Sequence, residues 1–175
     1  MYKLIFFFLL TLSCQSNESK LSVAPVSHIG EWETACYSNG NGTYGIINLV
    51  INSTSLELTT GVFSNSNCNT LIGEYYLESN SYERSVNTYS VIVDTFNFTP
   101  KDPSYAVILN SNYYCGIAPT SPNWVDEVTQ SLFGRTCSGN EPEELINSGH
   151  EFEIEAVRNG DILETDYTTE IFNKI

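Results

Sequence analysis

Short stretches of alternating apolar and polar residues run through most of the chain, separated by Asn, Gly, Ser and Pro. A period of two is typical of β-strands with one buried face. The clearest example lies over 150–157, where Phe152, Ile154 and Ala156 alternate with glutamates. The pattern therefore predicts an antiparallel all-β fold.

The alternating stretches predict a series of strands joined by short turns. We expect strands over 30–37, 44–52, 56–63, 71–78, 85–98, 105–109, 150–157 and 162–165, with a further one over 168–172. Asn-Gly pairs tolerate positive φ, so residues 38–43 and 158–161 are predicted to form hairpin turns. Residues 122–132 fit either a helix or a loop with an irregular strand, and 142–145 fit one helical turn. A set of about eight to ten sequential strands must protect its edges, which favours an up-and-down barrel.

The first residues follow another pattern. Lys3 precedes an apolar run over 4–12, and Ser13 and Cys14 follow it, as in a secretory signal. The run is shorter than the roughly 20 residues that a membrane-spanning helix needs. The cysteine at the cleavage point resembles the lipobox of bacterial lipoproteins, which implies that the thiol of Cys14 carries the lipid, including palmitate. We expect a signal peptide over 1–13, a lipidated cysteine and flexible tether over 14–27, and one domain over 28–175.

The residue after Cys14 is Gln15. A residue other than Asp at this position resembles the outer-membrane sorting signal of diderm bacteria. The resemblance implies a protein anchored in the cell outer membrane through Cys14.

Four further cysteines remain: Cys36, Cys68, Cys115 and Cys137. An oxidising compartment favours two disulfides among them, with three possible connectivities. We expect Cys36–Cys68 and Cys115–Cys137, because each closes the shorter loop. A zinc site is disfavoured, since no Cys-x-x-Cys pair occurs.

The charge excludes some classes of partner. The chain has 7 basic and 21 acidic residues, a formal charge of −14. Such a surface repels phosphate backbones, so nucleic acid is not an expected partner, whereas cations and basic proteins are attracted. The glutamates of 150–157 share one strand face, but no EF-hand loop accompanies them, so we expect a solvated face and no metal.

Residues able to carry out catalysis are few. The chain has two histidines, His28 beside the tether and His150 at the start of a strand, and no Gly-x-Ser-x-Gly motif. We therefore expect no enzyme activity, no catalytic residue and no cofactor. Trp124 with Tyr113 and Tyr114 fits either stacking on a sugar or packing around a disulfide.

Two short motifs suggest a family. Gly30-Glu31-Trp32 resembles the Gly-x-Trp motif of lipocalins and other calycins, and Thr165-Asp166-Tyr167 matches their Thr-Asp-Tyr motif. In that family a basic residue near the C-terminus packs on the Trp; here only Lys174 follows, so we expect this partner to be missing. The order of Gly-x-Trp, the four cysteines and Trp124 resembles bacterial lipoproteins with a lipocalin-like barrel.

The resemblance implies an eight-stranded barrel with structural roles for Gly30 and Trp32. Trp32 would close one end, and the other end would open onto a ligand cavity. We therefore expect a lipid-anchored exported protein that binds a small apolar ligand in its barrel. The alternative is a non-enzymatic structural or interaction lipoprotein whose barrel is filled by its own side chains. The sequence identifies neither ligand-binding residues nor an oligomeric state.

Overall fold

The computed structural model describes residues 27–112, 114–116, 124–135 and 149–175. These residues form twelve strands, one α-helix and one short 3-10 helix. The strands before the helix are β1 (Gly30–Thr34), β2 (Tyr37–Ser38), β3 (Tyr44–Ile51), β4 (Leu56–Phe63), β5 (Leu71–Ser79), β6 (Tyr82–Ser85), β7 (Thr88–Ile92) and β8 (Thr95–Pro100). After them come α1 (Pro103–Ser111), the 3-10 helix (Tyr114–Gly116), β9 (Gln130–Ser131), β10 (Glu151–Asn159), β11 (Ile162–Thr165) and β12 (Phe172–Lys174).

All strand pairs are antiparallel, and the sheet follows the order β6-β7-β10-β11-β12-β1-β3-β4-β5-β8-β9, with β2 beside β3. β5 pairs with β8, and β6 pairs with β7. The segment 71–100 is therefore one long hairpin, bent in both arms at 80–81 and 93–94. Because β5 continues into β6 and β7 continues into β8, this hairpin connects the two ends of the strand order, and the sheet curls back on itself. The predicted all-β, antiparallel, up-and-down, barrel-like fold is confirmed.

The two ends of this barrel differ. At the end where β1 begins, Gly30 lies opposite Ile51, next to the turn between β3 and β4. We call this the Trp32 end. At the other end, the far end, Tyr44 pairs with Phe63 and Thr34 pairs with Phe172. Within the described ranges, no ladder joins β9 to β10 or β11 at the far end.

One apolar core fills the barrel between these ends. Its buried members come from β1, β3, β4, β5, β7, β10, β11 and β12 and from the bend between β7 and β8. They are Trp32, Ile47, Leu49, Ile51, Leu56, Leu58, Leu77, Tyr89, Val91, Val93, Ile154, Ala156, Leu163 and Phe172. The alternation of buried and exposed positions along 151–156 agrees with the sequence prediction.

Residues 105–109, predicted as a strand, belong instead to helix α1. Asp102 is its N-cap, and its carboxylate accepts a hydrogen bond of 2.8 Å from the Tyr105 amide. Pro103 occupies the first turn, where its missing N–H costs nothing. The capping residues therefore outweigh the strand preference of Val107 and Ile108. Ala106 and Leu109 are the buried side of the helix.

Two other boundaries were predicted wrongly. The strand expected over 85–98 is divided by the bend at 93–94, and its first residues form the hairpin turn between β6 and β7. The last strand is Phe172–Lys174 rather than 168–172. For 122–132, the described part is a turn followed by β9, which confirms the alternative of a loop with an irregular strand. Residues 142–145 lie outside the described residues.

The Cys36–Cys68 disulfide is confirmed, with an S–S distance of 2.04 Å. It links the connection between β1 and β2 to the loop between β4 and β5, at the far end. Cys115 is buried and disulfide-bonded. Cys14 and Cys137 lie outside the described residues, so the lipidation and the second pairing remain predictions. Neither helix in the described ranges is long and apolar enough to cross a bilayer.

Candidate functional site

Trp32 closes one end of the barrel and is fully buried. Its indole Nε1 donates a 2.9 Å hydrogen bond to the carbonyl of His28. The guanidinium carbon of Arg158 lies 5.2 Å from the centre of the indole ring, within the range of a cation–π contact. The expectation that a basic partner of the Trp is missing was therefore wrong. Arg158 lies near the end of β10, just before the β10–β11 turn, and its side chain reaches Trp32 at this end of the barrel.

Gly30 has a conformation that the other residue types rarely adopt, with φ at +148°. A Cβ at this position would lie 3.5 Å from Cε of Lys174 and 3.6 Å from Nε1 of Trp32. These distances are ordinary van der Waals contacts, so the backbone conformation, rather than lack of space, favours glycine here. The Gly-x-Trp motif lies in the wall of the closed end.

His28 is buried beneath this end, although the sequence placed it beside the tether. Its Nδ1 lies 2.8 Å from the hydroxyl of Tyr89. Burial, with help from the charges of Arg84 and Arg158, lowers the pKa of His28. Burial raises the pKa of Tyr89 to about 12. A neutral imidazole beside a protonated phenol supports packing and hydrogen bonding and supplies no activated nucleophile.

A second apolar cluster fills the far end under α1. Its buried members are Val62, Ile72, Phe98, Ala106, Leu109, Cys115, Trp124 and Leu132. The ring of Phe98 lies 5.3 Å from that of Trp124 and 4.5 Å from that of Tyr75. A Cβ at Gly73 would lie 2.6 Å from Cζ of Phe98, so the glycine makes room for this ring.

Trp124 belongs to this cluster and is not available as a stacking platform. It is 2 % exposed, and its Nε1 donates to the carbonyl of Tyr114 at 3.2 Å. Of the two alternatives, packing near the disulfide-bonded Cys115 is the one that the structure supports. Tyr113 lies outside the described residues.

Tyrosine hydroxyls line the inner side of this cluster. The hydroxyls of Tyr75 and Tyr114 contact each other. Burial raises the pKa of Tyr75 well above its usual value and that of Tyr105 to about 12. These phenols therefore stay uncharged at neutral pH, and the hydroxyls of Tyr75 and Tyr114 hydrogen-bond to each other.

A surface concavity of about 620 Å³ lies along the β11–β12 connection at the far end. Its lining, residues 164–171, includes the Thr165-Asp166-Tyr167 motif. Asp166 accepts a 2.8 Å hydrogen bond from the amide of Glu155, and Tyr167 is 48 % exposed. The lining also holds the carboxylates of Glu164 and Glu170. The carboxylates favour cationic groups at this surface.

The remaining sequence candidates do not converge. Glu151, Glu153 and Glu155 point to solvent from β10, as the alternation indicated. The carbonyl of His150 accepts a 2.9 Å hydrogen bond from the Val93 amide. Among the residues that the structure describes, no group of three or more His, Cys, Asp and Glu side chains is arranged to hold a metal ion.

Sequence reasoning missed the roles of His28 and Arg158 at the Trp32 end. The signal for His28 was its spacing of four from Trp32, which places it on the inward face of an extended chain. The position of Arg158 depends on the register of β10, which no local pattern specifies.

No protein-family model matches the chain, and no curated protein is significantly similar to it.

Proposed function

We propose that this chain is an exported, lipid-anchored interaction protein, without enzyme activity, whose barrel is filled by its own side chains. The supporting observation is the core of fourteen buried residues, to which eight strands contribute. Packing of this kind resembles the interior of an ordinary globular domain.

The ends of the barrel support the same conclusion. Trp32 and Arg158 cover one end, and Phe98 and Trp124 occupy the other. A site for a small apolar ligand is a concave region with a mainly apolar lining and a few polar groups. The exposed lining of the concavity over 164–171 is more apolar than polar, and three of its eight residues are carboxylates. The packed core, rather than this concavity, is the reason that we favour the filled barrel over binding of a small apolar ligand.

The charge indicates the kind of partner. With a net charge of −14, the surface attracts basic groups, and its electrostatic field accelerates encounters with a basic protein. The partner of this proposal is accordingly a protein with a basic surface.

The lipid anchor is tested by replacing Cys14. The chain expressed in a diderm bacterium is expected in the membrane fraction with a mass increased by the lipid, and Cys14→Ser is expected to abolish both properties. Ser16→Ala, in the adjacent tether, is the control and should change neither. A Cys14→Ser chain that remains membrane-bound with an unchanged mass would refute the anchor.

The filled interior is tested by titrating the folded Cys14→Ser chain with a fluorescent long-chain fatty acid. No saturable binding is expected if the core side chains fill the interior, as proposed. Saturable, stoichiometric binding that Leu49→Trp abolishes would establish the ligand-binding alternative. Gln15→Ala, distant from the core in sequence, serves as the matched control.

A further inference from the structure

From the Trp32 end, we infer that a rim of exposed isoleucines rests on the membrane surface, so that the far end faces away from it. The rim consists of Ile29, Ile162 and Ile175. This inference rests on the lipid anchor of the proposed function. It adds an orientation and a lipid-contacting surface, which the anchor alone does not require.

The chain enters the barrel at the Trp32 end through a fixed segment. The carbonyl of Ser27 accepts a hydrogen bond from the guanidinium of Arg158. The next residue, His28, is buried and bonded to both Tyr89 and Trp32. The tether therefore leaves from a defined point. From Cys14 to Ser27 a fully extended chain spans at most about 45 Å, and this chain joins the barrel at the Trp32 end.

The rim lies around this point of entry. Ile29, Ile162 and Ile175 are 50 %, 39 % and 66 % exposed. Ile162 pairs with Asn173 on β12, and the Ile175 amide donates to the carbonyl of Glu31 in β1.

All three isoleucines face outward. Successive side chains in a strand alternate between its two faces. Ile162 is one position from the core residue Leu163, and Ile175 and Ile29 are three positions from the core residues Phe172 and Trp32, so these odd spacings place the isoleucines on the outer face. Ile162 is thus a diagonal neighbour of Ile175, and Ile175 of Ile29, at roughly 7–8 Å. The result is an apolar outer band across three adjacent strands.

Charge at this end is mixed. Glu31 and Asp161 lie next to the rim, and Arg158 and Lys174 offset them. A surface of mixed charge repels anionic headgroups less than a uniformly acidic one does. The far end carries the carboxylates of the concavity over 164–171. A lipid surface thus fits the Trp32 end, and a basic protein partner fits the far end.

The test uses the lipid-anchored chain, reconstituted in vesicles of phosphatidylethanolamine and phosphatidylglycerol that contain a headgroup nitroxide lipid. A fluorophore is attached either to Asn159→Cys at the Trp32 end or to Asn41→Cys in the far-end loop; both positions are exposed. Quenching is expected to be several-fold stronger at 159 than at 41. Equal quenching at the two positions would overturn the orientation.

The rim itself is tested with the double variant Ile29→Thr and Ile175→Thr, which keeps β-branched side chains. It should lose most of the excess quenching at 159. The control is Val107→Thr with Ile108→Thr on α1, where the side chains are 63 % and 52 % exposed, and it should retain that excess. Full quenching in the rim variant, with an unchanged circular dichroism melt, would overturn the role of the isoleucines.

Vesicle flotation separates this inference from the proposed function. A chain that does not float with the vesicles refutes the anchor, and the orientation with it. A chain that floats but shows equal quenching at both positions refutes the orientation alone.

Discussion

The filled barrel makes a quantitative prediction for Leu58. On the inner face of β4, Leu58 pairs with Leu49 on one side and Leu77 on the other. The three side chains are 4 %, 2 % and 6 % exposed. Leu58→Ala removes three carbon groups at about 0.8 kcal/mol each, and the remaining cavity adds to this loss. We expect the free energy of unfolding to fall by about 3 kcal/mol, within the usual range of 2–5 kcal/mol.

The assay is urea unfolding of the Cys14→Ser chain at pH 7, followed by tryptophan fluorescence and by circular dichroism. A loss of about 3 kcal/mol shifts the folding equilibrium by roughly a hundredfold and lowers the urea midpoint at constant slope. Val107→Ala, on the exposed side of α1, is the matched control and should change stability by less than about 0.5 kcal/mol. A loss below about 1 kcal/mol for Leu58→Ala would refute the reasoning, because truncation beside an open cavity leaves few contacts to lose.

Three further predictions concern the elements that hold the barrel together. Replacing both Cys36 and Cys68 by Ala should lower the free energy of unfolding by about 4 kcal/mol, from the loop entropy of a 32-residue separation. The prediction is contradicted if this double replacement lowers the free energy of unfolding no more than adding reductant lowers that of the double variant. Asp102→Ala should cost about 1 kcal/mol through the lost cap of α1, and Asp102→Asn much less, in the same urea assay; equal losses would assign the effect to charge. Burial lowers the folded-state pKa of His28 below its ordinary value of 6.5, so the unfolded chain binds more protons and stability falls as the pH drops below about 6.5. His28→Asn should flatten this fall in melting temperature between pH 7 and pH 5.5, and an unchanged profile would exclude His28 as its source.

Much of the fold follows from local patterns in the sequence. Alternation along 150–157 identified β10 and its inward residues, because one buried face imposes a period of two. Loop length alone favoured Cys36–Cys68, and the structure contains that bond. These features are local or depend only on order along the chain.

The errors arose where interactions outside the pattern decide the structure. Residues 105–109 carry strand-forming side chains, yet the Asp102 cap and Pro103 make them a helix. The bend at 93–94 is set by contacts between the hairpin arms, including the 2.9 Å hydrogen bond from the Asp94 amide to the Glu78 carbonyl. No periodicity marks such a point.

The site at the Trp32 end was predicted only in part for the same reason. The Gly-x-Trp motif pointed to Trp32, but its partners come from distant strands. Arg158 reaches the indole because β10 and β11 are paired through Asn159 and Ile162. That register is a property of the assembled sheet.

Native mass spectrometry of the Cys14→Ser chain, purified without detergent, tests the central claim most directly. If the barrel is filled by its own side chains, we expect one species with the mass of the oxidised polypeptide. This mass should be the same for protein prepared from cells in different growth phases. A heavier species that loses a small molecule on denaturation, at a stoichiometry near one, would contradict the filled barrel and establish a bound ligand.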